Sequence, residues 1–335
     1  MFIPRYWSEA SHCERYPDRR QATIRRFGWS STSQADADVH ARRRVEEALA
    51  ALRAGGPKAL RDLVRRERTV AYSGADGLPI REEIVAEHPC EDAVVTRNAY
   101  GARCLNTTAA MFVDVDVPEG RVGGAGCLGA LLGALLGVAA GLAARGLSPV
   151  AAAVAGFAVF GLLGASLERL RLRRSPQFRD TVRWALERAR AWCERRPGWR
   201  VAVYQTPAGA RLLPLHAAFD AGDPASFAFM EFVRADPLYQ RMCRLQKCFR
   251  ARVSPKPWRA GIVERFRAGG TWPVRDPAKL ARRGEWVRRY EKTAEGFAAC
   301  RFVEAVGSGA VDPRVEAVQR LHDQLCRAAS ALELA

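Results

Sequence analysis

The chain has 335 residues, 48% hydrophobic and 27% charged, and a formal net charge of +17 from 53 basic residues against 36 acidic ones. It is long enough to bury a real core in one large domain or two small ones. Its charge turns it away from basic partners and toward anionic ones: nucleic acid, nucleotide phosphates or acidic lipid headgroups. Only Lys58, Lys247, Lys256, Lys279 and Lys292 are Lys, and an Arg- and Ala-rich composition also arises from a GC-rich coding sequence. Nine cysteines, an odd number spread along the chain, exclude the dense, even framework of a small disulfide-stapled domain.

In chain order, Arg25 to Ser30 is a basic, aromatic segment. Ser33 then stands where a hydroxyl caps a helix whose first turn holds Asp36 and Asp38. Val45, Leu49 and Leu52 mark that helix's apolar face, and Gly55, Gly56 and Pro57 are expected to end it before a second short helix over 58–68. Tyr72 to Pro79, which contains Ser-Gly-Ala-Asp-Gly, reads as a turn, and 80–87 as another short helix. Strands are expected over 93–97, 103–105 and 110–117. The last is written Ala-Met-Phe-Val-Asp-Val-Asp-Val, with Met111, Val113 and Val115 on one face and Phe112, Asp114 and Asp116 on the other.

From Val122 to Ala144 and from Gly146 to Leu167 no residue is charged, and Arg145 stands alone between the two stretches. Each matches the roughly 20 helical residues that cross a hydrocarbon core. The expected element is a transmembrane helical hairpin over 122–168, with a buried helical pair as the alternative. Gly129, Gly133, Gly137 and Gly141 recur every fourth residue, a stripe suited to close helix approach within the hairpin or between copies. Arg121 before it and Arg169, Arg171, Arg173 and Arg174 after it place both outer ends in the cytoplasm. Met1 to Arg20 contains no apolar core of signal-peptide type. The expected architecture is therefore an α/β (α+β) cytoplasmic domain, 1–121 and 169–335, anchored in the cytoplasmic membrane by an inserted hairpin.

Beyond the hairpin, 176–196 has the periodicity of an amphipathic helix, with Phe178, Val182, Leu186, Ala189 and Cys193 on one stripe. Two strands, 200–205 and 210–216, flank the turn Thr206-Pro207-Ala208-Gly209. Residues 227–248 read as mostly helical, 249–259 as a basic strand or loop, and the segments from 282 on as helical with a break around 307–313.

Three groups are candidates for chemistry. Asp114 and Asp116 leave one face of one strand, where a hard cation such as Mg²⁺ or Mn²⁺ relieves their repulsion; the alternative is a solvated acidic strand end. His216 ends an otherwise apolar strand, as a catalytic or a structural His. In Phe249 to Arg259, Arg250, Arg252, Lys256 and Arg259 are spaced to clamp phosphates, and Trp258 to stack a base; the alternative is a solvated strand with a buried Trp. Cys243, Cys248, His322 and Cys326 are a weaker candidate set for zinc.

Phe-Val-Asp-Val-Asp, then Tyr-Gln-Thr-Pro-Ala-Gly-Ala-Arg, then the basic Pro-containing run, resembles the palm of archaeo-eukaryotic primases and primase-polymerases across roughly 93–260. The resemblance implies a metal-binding role for Asp114 and Asp116 and places His216 near a nucleotide-binding histidine. Asp220 and Asp236 are options for a third acid, and Leu212 follows Arg211 where that family commonly has His. Two functions follow as expectations. One is metal-dependent nucleotide binding or nucleotidyl transfer; the other is a noncatalytic basic domain that binds nucleic acid, acidic lipid or a protein partner.

Overall fold

The computed structural model describes residues 1–15, 21–62, 67, 74–87, 90, 92–116, 180–266 and 272–335, with scattered positions between 131 and 162. It opens with an antiparallel hairpin, β1 (Tyr6–Arg15) and β2 (Gln21–Ser30), in register Trp7↔Trp29. Sequence periodicity did not reveal this pair, because charged and polar residues alternate irregularly along both strands. Helix α1 (Gln34–Asp62) lies across it, burying Ala37, Ala41, Val45, Ala48, Leu49 and Leu52 against Ile24 and Phe27. Ser33 caps it as expected, its Oγ accepting from the Asp36 N–H at 3.1 Å. Gly28 permits the close approach: a Cβ there would lie 2.2 Å from the Ala41 nitrogen. The helix does not stop at Gly55-Gly56-Pro57 but runs on to Asp62. Pro removes one backbone bond from a helix interior, and here the helix continues around that loss.

Two four-stranded antiparallel sheets form the body. In one, β3 (Glu83–Glu87), β4 (Ala93–Arg97), β5 (Arg103–Thr107) and β9 (Phe249–Arg252) lie in the order β3-β4-β5-β9. In the other, β6 (Val113–Asp116), β7 (Arg200–Thr206), β8 (Gly209–Pro214) and β11 (Arg301–Gly307) lie in the order β11-β7-β8-β6. Segments before and after 122–168 thus interleave, since β5 pairs with β9 and β6 with β8. A two-residue parallel pair joins β10 (Phe297–Ala298) to β12 (Glu333–Leu334). Residues 83–87, expected as helix, are instead an edge strand whose side chains alternate in burial, and β11 replaces helix expected there. Pairing decided both against local pattern.

Helix α2 (Thr181–Arg195) covers one face of the second sheet. Its buried stripe is Thr181, Ala185, Ala189 and Trp192, turned by a fraction of a turn from the expected one; Phe178 lies outside the described residues. Helices α3 (Pro224–Phe232), α4 (Pro237–Gln246), α5 (Pro277–Ala294) and α6 (Pro313–Cys326) each begin with Pro behind an Asp that accepts from the first free N–H groups.

Val113, Val115, Val201, Val203 and Leu212 face α2, α3 and α4 in one core, while Phe112, Ala202, Tyr204 and Leu213 face Val95, Leu105 and Ala251 of the other sheet in a second. Each fully buried Val or Leu stabilises by about 1.5–3 kcal/mol. A charged side chain on the inner faces therefore needs a specific compensating partner.

The expected transmembrane hairpin is not borne out. Among the described residues no helix is long and apolar enough to cross a membrane, which corrects the hairpin-containing fold class and the membrane localisation drawn from it. A charge-free run of sufficient length is a necessary condition for a spanning helix, not a sufficient one. Described positions of the run, such as Leu131, Leu135, Val150 and Phe157, are helical and exposed, but none belongs to a described helix of that length. Most of 122–168, the glycine stripe included, lies outside the described residues. The fold observed is α+β with antiparallel sheets.

Candidate functional site

Strand alternation places Asp114 on the inner face of β6, directly opposite Arg211 on β8. The two form a bidentate pair, Arg211 Nε to Asp114 Oδ1 at 2.6 Å and Nη2 to Oδ2 at 2.9 Å. Arg211 is 2% exposed, and its remaining nitrogen, Nη1, donates to the Arg252 carbonyl at 2.9 Å and meets His322 Nε2 at 3.1 Å. A guanidinium has only donors, so Nε2 must accept. That leaves the His322 proton on Nδ1, donated to Asp323 at 2.8 Å. Burial pushes the Asp114 carboxyl up, but the charge and hydrogen bonds of Arg211 outweigh it and hold it below its ordinary value.

Asp116 sits two residues on, at the solvent end of the strand and opposite Gly209. Gly209 is needed there because a Cβ would stand 2.2 Å from the Val115 carbonyl oxygen. The protein around Asp116 displaces solvent and the Asp114 charge adds repulsion, so its carboxyl is pushed up to about 6.

Both acids line a cavity of about 180 Å³ together with Glu82, Tyr100, Arg211, Arg250, Arg252 and Lys256 among others. Arg250 and Arg252 reach it because β9 pairs in register with β5, setting Arg250 opposite Asn106 and Arg252 opposite Cys104. Arg250 is anchored by both oxygens of buried Glu82, at 2.7 and 2.6 Å. Glu82 is itself held by Thr96 at 2.7 Å. Arg252 donates to the Ser254 carbonyl at 2.7 Å. Lys256 is half-buried, and burial together with Arg252 and Arg259 lowers its pKa. Arg259 stands close enough to feel Arg252 and Asp116, and its Nη1 has no hydrogen-bond partner. Four cations face three carboxylates across the cavity, and Arg259 adds a further positive charge nearby. The surplus is positive, a balance more favourable to an anion than to a cation.

The structure therefore brings together Asp114, Asp116, Arg250, Arg252 and Lys256, with Arg259 at the edge. His216 is elsewhere, its ring tilted against Trp199 with centroids 4.3 Å apart and beside Phe219, where burial lowers its pKa. Its buried Nδ1 has no hydrogen-bond partner. Of the two acids offered as a third ligand, Asp236 caps α4 through the Leu238 N–H while its charge reaches Asp116. Asp220 accepts from Gly222 in its own turn and lines a different cavity.

The candidate zinc set is not assembled. Cys243 and Cys248 belong to the core under α2, whereas Cys326 belongs to the core between the sheets. His322 and Cys326 instead meet Cys300, all three buried, their ligand atoms within 4.8 Å of one another. Arg211 already occupies the His322 Nε2 lone pair.

Arg211, Glu82 and Tyr100 were missed as site residues. Arg211 alone had a legible signal, since a 206–209 turn puts 211 and 204 opposite one another and makes 211 available to the next strand. Glu82 and Tyr100 had none, because they enter the cavity through contacts more than a hundred residues apart in sequence. Comparison with known proteins finds no family model, curated relative or solved structure that matches this chain.

Proposed function

We propose that this cavity binds the phosphates of a nucleotide, with Asp114 and Asp116 as ligands for Mg²⁺ or Mn²⁺, and that it serves nucleotidyl transfer of the primase-like kind. The observation that carries this is the convergence of two same-strand carboxylates with Arg252 and Lys256 on one cavity. The donor set fits a hard cation on its outer edge. Asp114 keeps 35% of its side chain exposed, and burial first, with the neighbouring Asp114 charge second, raises the pKa of Asp116. When bound, such an ion would polarise a phosphoryl oxygen and neutralise charge developing on it. Arg252 and Lys256 orient the phosphates, and Arg211 fixes the Asp114 carboxylate in one rotamer.

The test is a thermal shift of the whole chain with nucleoside triphosphate, with and without Mg²⁺. The expected result is a stabilisation that needs both, grows with ligand concentration, and is lost in Asp116→Asn. A noncatalytic, phosphate-binding site is the second reading, favoured by one observation: both Asp114 oxygens already accept from Arg211. A nucleotide shift of equal size without metal would support that second reading and overturn the first.

A further inference from the structure

Beside the phosphate cavity opens a larger and more apolar one, of about 490 Å³, lined chiefly by Tyr100, Pro257, Trp258, Ile262 and Phe266. The two adjoin. Tyr100 lines both, and Lys256 of the first is followed in the chain by Pro257 and Trp258 of the second.

The walls are held in place from below. Asn98 Oδ1 accepts from the N–H groups of Tyr100 at 3.2 Å and Ala102 at 3.1 Å. The same turn passes through Gly101 at φ +95°, where a Cβ would lie 2.4 Å from the Trp286 ring. On the other wall, Pro257 accepts from Ala260 at 3.1 Å and Ile262 at 2.9 Å, closing the 256–262 loop on itself. Trp258 stands on this loop, 55% exposed, with its ring edge-on to Tyr100 at 5.2 Å. Lys256 Nζ lies 5.5 Å from the Trp258 ring centroid. A rigidly mounted Trp that leaves more than half its surface in water, next to cations aimed at phosphate, is arranged as a stacking platform.

Resting on the phosphate-site reading, we propose that the second cavity receives the base of the nucleotide whose phosphates occupy the first, and that Trp258 stacks on it. Adjacency decides the occupant: a ligand whose anionic end is fixed by Arg252 and Lys256 must place its other end past Tyr100. Stacking on an aromatic face is tolerant of base identity, so purines and pyrimidines should both be accepted, purines more tightly because their rings cover more of the indole.

Isothermal titration of the full chain with ATP, CTP and inorganic tripolyphosphate, all in Mg²⁺, tests this in wild type, Trp258→Ala and Trp258→Phe. In wild type ATP should bind roughly 5- to 150-fold tighter than tripolyphosphate, the range expected for one stacked base. Trp258→Ala should erase that preference while leaving tripolyphosphate affinity unchanged, and Trp258→Phe should restore much of it. Equal wild-type affinity for ATP and tripolyphosphate overturns the inference, as does loss of both ligands together in Trp258→Ala. If tripolyphosphate and ATP both fail to bind wild type, the phosphate site itself is refuted and the base site falls with it. The exposure of Trp258 makes its replacement compatible with folding.

Discussion

Neutralising Asp114 should destabilise the protein, whereas neutralising its neighbour Asp116 should not. Two carboxylates held together only by a strand would both gain from losing a charge, because repulsion disappears. Arg211 reverses the sign at 114. It is 2% exposed and gives Asp114 two short hydrogen bonds. In Asp114→Asn the guanidinium keeps its burial, loses its counter-charge and confronts an amide NH₂ with one of its own donors. Breaking one partner of a buried pair costs about 3–5 kcal/mol. The 35% exposure of the Asp114 side chain puts the loss at the lower end, about 3 kcal/mol, because solvent screens the open side. That corresponds to a fall in Tm of about 4 °C for a chain of this length. Urea unfolding followed by far-UV circular dichroism at pH 7 measures it, with Arg211→Met and the double variant completing a cycle. Replacing both partners should recover part of the loss, because no buried charge is then stranded. A stability within about 0.5 kcal/mol of wild type in Asp114→Asn would refute the role given to Arg211.

At Asp116 the effect should depend on pH. Its folded-state carboxyl lies near 6, above its ordinary value of 3.8, so the stability it contributes is full below about pH 4 and is lost as pH rises through about 6. Asp116→Asn should match wild type at pH 4 and exceed it at pH 7 in thermal unfolding. Gly209→Ala should cost about 1–3 kcal/mol by overpacking, since its Cβ would meet the Val115 carbonyl oxygen at 2.2 Å; an unchanged Tm would show that β6 and β8 separate more easily than their register implies. Arg252→Ala with Lys256→Ala should flatten the salt dependence of oligonucleotide affinity by about 1.4–1.8 in log–log slope, and an unchanged slope would place the anion site elsewhere.

Legibility from sequence tracked how local the cause was. The hairpin β7–β8 was readable because Pro207 and Gly209 specify the turn, and β6 because Val113 and Val115 alternate with Asp114 and Asp116. The acidic pair and the basic run were readable as chemistry for the same reason, each lying within one strand or loop. Four helix starts carried an Asp-Pro signature, at 223–224, 236–237, 276–277 and 312–313, that sharpens boundaries otherwise read as broad helical stretches. What stayed hidden was long-range pairing. β11 joins β7 across about a hundred residues, and β3 is a strand because β4 offers it an edge. At 122–168 the signals were all local ones, hydropathy, glycine spacing and flanking Arg, and most of that segment lies outside the described residues. At His216 the sequence left both readings open, because an apolar strand ending in His looks alike whether the ring meets a ligand or packs beside an aromatic ring such as Trp199.

Arg211 also bears on the order in which the site fills. Its charge lies against the inner edge of Asp114, where Arg252 also acts, and Lys256 and Arg259 stand close enough to act on Asp116. In the empty cavity the two carboxylates therefore face more positive charge than negative, an environment that disfavours a bare divalent cation. A polyphosphate entering beside Arg252 and Lys256 inverts that balance. Its oxygens take up the surplus positive charge and supply further hard ligands next to Asp114 and Asp116. The two acids should then hold a cation only in company with phosphate, which makes cation and nucleotide affinity reciprocally coupled through one site. Under the proposed function Arg211 would set this requirement, because it keeps Asp114 ionised and rigid while reducing its attraction for a lone cation.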